Sequence, residues 1–217
     1  VLSGAGSFAL DDGGGGTWTW AGTGGAITMA DPPRVANHTF TFAGVGNGTV
    51  ELFGTNTVQG TIGSQQTVRV STSADANVNS SIVNNGTVRL FGGGAELDGR
   101  SGAATIDNRG SLFAQGASGT NYVMGGAVLN SGTMNVTNQM QTFGAWTNTG
   151  TIDVDAGASV VDWSTTSMTL GSGSVLSGAG SFALDDGGGG TWTWAGTGGA
   201  ITMADPPRVA NHTFTFA

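Results

Sequence analysis

Residues 85–90 read NGTVRL, and variants of the phrase recur as NGTVEL at 47–52, NRGSLFA at 108–114, NSGTMNV at 130–136 and NTGTIDV at 148–154. Each joins Asn and Gly to a Thr or Ser, then places apolar residues at alternate positions. On an extended chain, residues two apart share a face. Val50 and Leu52, Val88 and Leu90, Met134 and Val136, and Ile152 and Val154 are therefore expected to point inward. Glu51, Arg89, Asp153 and the threonines are expected to point outward. The runs Thr17-Trp-Thr-Trp20 and Thr39-Phe-Thr-Phe42 alternate in the same way and add Trp18, Trp20, Phe40 and Phe42 to the core. Exposed, these rings would stack on sugars; inside, they fill a wider part of the core, which is the reading adopted. Asn and Gly tolerate positive φ, so Gly48, Gly86, Gly110, Gly132 and Gly150 are read as the corners between strands.

These corner glycines lie 38, 24, 22 and 18 residues apart, and Thr67 opens a further strand inside the longest gap. The quasi-period is thus roughly 18–24 residues, with weaker strands marked by Val58, Ile106, Val128 and Val160. A strand–turn unit of that length predicts an all-β β-solenoid. The alternative is a string of antiparallel β-sandwich domains, which also turn every 8–12 residues or so. Interchangeable Val, Ile, Leu, Met and Phe at the inward positions favour a stack.

On a larger scale, residues 1–43 return letter for letter as residues 175–217. Shared folding constraints would keep the apolar pattern and let the surface drift, so the identity marks a tandem duplication. The chain is read as one unit of 174 residues, 1–174, of about 8–9 coils, followed by 175–217 as the start of the next. It is expected to be a window on a longer array.

Composition agrees. Glycine accounts for 41 of 217 residues and charged residues for only 9%; typical values are about 7% and 25%. There is no lysine, and the six basic residues are Arg34, Arg69, Arg89, Arg100, Arg109 and Arg208. A neutral polar surface suits stacked strands, where like charges about 4.8 Å apart would repel. The net charge of −8 argues against nucleic-acid partners. No apolar run reaches the ~18 residues that a membrane-spanning helix needs. Cysteine is absent, which excludes thiol and zinc-ribbon chemistry.

The phrases NNGTVRLFG (84–92), NRGSLFAQG (108–116), NSGTMNVTN (130–138) and NTGTIDVDAG (148–157) resemble coils of bacterial autotransporter passenger domains and filamentous-haemagglutinin-type adhesins. The resemblance implies a right-handed parallel β-helix on a bacterial surface, outside the cell, and carries over no catalytic residues.

Few residues point to chemistry. Asp11 and Asp12, with their copies Asp185 and Asp186, precede four glycines and are the only calcium candidates, although the spacing matches no calcium loop. Asp153 and Asp155 share one face of a strand and pass for a glycosidase pair, but Asp162 stands isolated and no His is near in sequence. His38 and His212 are copies of one position and read as corner residues. Alternating threonines resemble an ice-binding ladder, but their spacing in sequence is irregular. Asn37, Asn47, Asn79, Asn85 and Asn135 open glycosylation sequons that composition alone would generate. The expected role is therefore not enzymatic: a structural segment of a surface fibre, whose partner is itself, end to end or side by side. The alternatives are an adhesin that binds carbohydrate or protein and, below it, a polysaccharide-active enzyme.

Overall fold

The computed structural model describes residues 1–217 apart from 12–14, 22–24, 100–103, 117–118, 185–188 and 196, with side chains at all the rest but 124 and 163–166. The chain is an all-β parallel β-solenoid of about nine turns. One sheet runs β1 (Leu2–Gly4), β4 (Ala26–Met29), β7 (Asn47–Leu52), β9 (Gln66–Val70), β11 (Thr87–Phe91), β14 (Ser111–Gln115), β16 (Thr133–Val136), β18 (Thr151–Val154), β20 (Val175–Gly178) and β23 (Ala200–Met203), with β2 (Ala9–Leu10) and β5 (Arg34–Val35) beside this path. The second sheet starts at β3 (Thr17–Trp20) and β6 (Thr39–Ala43). It climbs through the longer strands β8 (Thr55–Ile62), β10 (Asp75–Asn84), β15 (Thr120–Asn130), β17 (Gln139–Asn148) and β19 (Ser159–Leu170). The shorter β12 (Glu96–Gly99), β13 (Thr105–Asn108), β21 (Ser181–Leu184), β22 (Thr191–Trp194), β24 (Arg208–Val209) and β25 (Thr213–Phe216) complete it.

Every strand pairing among the described residues is parallel. That excludes the antiparallel sandwiches. Three of the four weaker strands of the sequence reading fall in long elements, while Ile106 lies in the four-residue β13. Val58 lies within β8, Val128 within β15 and Val160 within β19. β10 is one strand where the next coil has two, pairing with β12 through Asp75–Asn77 and with β13 through Ser81–Asn84. Unequal coil lengths leave the register intact, because the first sheet aligns Val50, Val68, Val88, Leu112, Met134, Ile152 and Leu176. All seven are buried.

The corners depart from the positive-φ explanation. Among the named glycines only Gly48 has positive φ, at 117°. At Gly110 and Gly132 the constraint is contact: a Cβ would stand 2.2 Å from the carbonyl oxygen of Gly86 or Gly110 one coil earlier. Gly86 and Gly150 are held in the same way, at 2.2 and 2.1 Å from Gly63 O and Gly132 O. On this backbone no L side chain fits at these corners unless the coil below shifts.

Asparagine also works differently from the turn residue read in the sequence. Asn84, Asn108, Asn130 and Asn148 are buried and stack as one ladder. The Nδ2 of each of the first three donates to the Oδ1 of the next at 2.7, 2.7 and 2.6 Å. The second proton of each goes to a main-chain oxygen, of Ser111, Thr133 or Thr151, at 3.0–3.2 Å. Each amide thus meets most of its hydrogen-bonding capacity inside an apolar stack, where an unmet polar group costs about 1–3 kcal/mol. The ladder ends where its column turns apolar, at Ile62 below Asn84 and Leu170 above Asn148.

Candidate functional site

The inward set of the sequence reading is buried almost throughout. Trp20, Phe40, Phe42, Val50, Leu52, Val88, Leu90, Met134, Val136, Ile152 and Val154 all lie in the core, and Trp18 is half-buried against it. The rings form a continuous run, with centroids 4.9 Å apart for Trp18–Phe40 and 4.5 Å for Phe40–Phe42. They are core, and among the described residues no row of tryptophans faces solvent.

The residues read for chemistry do not converge. Asp11 is exposed, while Asp12, Asp185 and Asp186 lie outside the described residues. No group of three or more His, Asp or Glu among the described residues is placed to hold a metal ion. Asp153 accepts a hydrogen bond from Ser177 Oγ at 2.5 Å on the outer face of β18, and Asp155 is exposed past the strand end. Asp162, isolated in sequence, has company in space. Nε2 of His212 comes within 3.9 Å of its carboxylate, both side chains being 1% exposed, and Thr142 Oγ1 donates to it at 3.4 Å. Both side chains are buried in the stack. His38 and His212 each meet a main-chain oxygen two residues earlier, that of Ala36 and Ala210.

One outer face gathers charge instead. In the first sheet Arg34 lies in register with Glu51, Glu51 with Arg69, Arg69 with Arg89 and Arg89 with Phe113. Arg34 lies 3.8 Å and Arg69 3.7 Å from the Glu51 carboxylate. Each guanidinium also covers a ring: Arg34 over Phe53 at 4.1 Å, Arg69 over Phe91 at 4.7 Å and Arg89 over Phe113 at 4.3 Å. Nη1 of Arg89 donates to Gln115 Oε1 at 2.8 Å. A groove of about 440 Å³ runs beside them, lined by Pro32, Thr49, Thr67, Arg69, Arg89 and Phe91 among others. Elsewhere, Arg109 is exposed, and its pKa is raised by its hydrogen bond to Asp107 and by that carboxylate's charge.

Sequence reading missed both this face and the Asn ladder. Parity contained the second: Asn84, Gly86, Val88 and Leu90 are all even-numbered, so the Asn that precedes Gly86, Gly110, Gly132 or Gly150 by two shares the inward face. No protein-family model, curated protein or solved structure matches the chain.

Proposed function

We propose that the chain is a rod-forming segment of an extracellular surface fibre, setting length and stiffness by stacking unit upon unit. The observation that carries this reading is the repeat boundary. β18 pairs with β20, and β19 with β21 and β22, so residues 175–217 continue the sheets of the first unit without a break. Tandem duplication then lengthens one stack and does not add a bead on a linker. From β1 to β20 the first sheet climbs eight rungs; at about 4.8 Å each, one unit of 174 residues advances the axis by roughly 38 Å. The neutral, Thr- and Asn-rich coils that resemble autotransporter passengers and haemagglutinin-type adhesins support a place on a bacterial surface. Chains of one, two and three units, compared by small-angle scattering and electron microscopy, test the reading. Rods that lengthen by about 38 Å per unit are expected; flexible, sub-linear growth would sink it. The adhesin reading draws support from the arginine-bearing face, where an exposed ring stands beside unshared positive charge.

A further inference from the structure

We propose that the face formed by Arg69, Arg89 and Phe91 binds a linear polysaccharide of uronic acids, an activity beyond the spacer role and independent of it. The chain carries a net charge of −8 and has only six arginines, yet three of them, Arg34, Arg69 and Arg89, occupy one column of one sheet. Among the described residues one carboxylate, Glu51, serves Arg34 and Arg69, and Arg89 turns to the neutral Gln115. Arg69 and Arg89 stand directly opposite each other on adjacent rungs. Like charges in that relation destabilise a sheet, and a bound anion would offset the repulsion.

The surroundings specify which anion. Phe91 is 49% exposed, far more than any inward residue of its strand. It lies under the Arg69 guanidinium and beside the groove, so one part of its ring is free to take the C–H face of a sugar against its negative π surface. An arginine fork matches a carboxylate in its plane and holds it by two parallel hydrogen bonds. Thr49 and Thr67 add hydroxyls along the groove for the sugar's own. The volume of about 440 Å³ falls within the ~300–1,000 Å³ of small-ligand sites. An acidic peptide suits the face less well. The groove lies on the flat of the sheet, where the strand amides are already committed to neighbouring coils, so a peptide backbone would find no edge to join. A sugar chain needs none.

The test is calorimetric titration of the intact chain with a β-1,4-mannuronate tetramer and with mannotetraose, which differs only in bearing CH₂OH in place of each carboxylate. The mannuronate tetramer is expected to bind, with mannotetraose weaker by at least about tenfold, as loss of a charged bidentate contact implies. Arg89→Gln is expected to weaken the mannuronate tetramer by about tenfold and Phe91→Ser by about fivefold. Thr215→Ala, exposed on β25 of the other sheet, is expected to change nothing. Arg89→Gln also relieves the Arg69–Arg89 repulsion, so its melting temperature should stay level or rise; if it fails to fold, Phe91→Ser carries the test. Equal binding of mannotetraose, equal binding of a tetraglutamate peptide, or no binding of the mannuronate tetramer at millimolar concentration would overturn the proposal. None of these results bears on the axial length of the rod.

Discussion

Residues 1–43 and 175–217 have the same sequence and pair in the same register. Leu2 faces Ile27 as Leu176 faces Ile201, Leu10 faces Val35 as Leu184 faces Val209, and Trp18 faces Phe40 as Trp192 faces Phe214. Even the ring contact repeats, with Trp18–Phe40 and Trp192–Phe214 both at 4.9 Å. Their burial is opposite. In the first copy the later coil is covered: Val35, Phe40 and Phe42 are at most 2% exposed, while Leu2, Phe8 and Leu10 are half-buried. In the second copy Leu176, Phe182 and Leu184 are buried, while Phe214 and Phe216 are 37% and 77% exposed. The cause is which neighbour each coil has: β7 and β8 lie on the first copy, and β18 and β19 lie under the second. Local sequence sets strand and register; the adjoining coil sets burial, and with it the stability a side chain contributes.

That contrast can be broken by paired substitutions read by denaturant unfolding. The largest difference is expected at Phe40→Ala against Phe214→Ala. Removing a fully buried Phe costs about 3–5 kcal/mol, and the partly exposed copy should lose clearly less. The order should reverse for Leu184→Ala, at about 2–5 kcal/mol, against the half-buried Leu10→Ala. Equal costs within either pair would show that position in the stack does not govern burial energy.

Two smaller effects sharpen the comparison by probing the unrepeated middle of the unit. Asn108→Ala strands the Asn84 amide and the Asn130 carbonyl inside the stack, and about 1–3 kcal/mol of stability should be lost. Asn211→Ala, outside the ladder, should cost less; a smaller loss at Asn108 than at Asn211 would remove the ladder as a stabilising element. Glu51→Gln weakens two partly exposed ion pairs and should cost under about 1 kcal/mol, fading as salt is raised.

How much of this was legible in the sequence follows from what each feature depends on. Alternation along Thr87-Val-Arg-Leu90 reports directly on which way side chains point, so the core set could be read. The corner glycines could be located, but not the reason for Gly110, which lies in a carbonyl one coil away. The Arg69–Arg89 column and the Asp162–His212 contact were hidden because loops of unequal length absorb the irregular spacing. Only pairing shows which residues twenty or fifty positions apart become neighbours. The threonines illustrate the same point: Thr17 and Thr19 stand opposite Thr39 and Thr41, and Thr191 and Thr193 opposite Thr213 and Thr215, so these alternating pairs do stack on successive coils despite the irregular spacing in sequence.

The most direct measurement is native-state hydrogen exchange on a chain extended beyond Ala217 by a second copy of residues 44–174. A continuous stack requires that the amides of Phe214 and Phe216, at the exposed end of the present chain, become as protected as those of Phe40 and Phe42. If they still exchange as they do without the extension, the units do not share one stack, and the rod is contradicted.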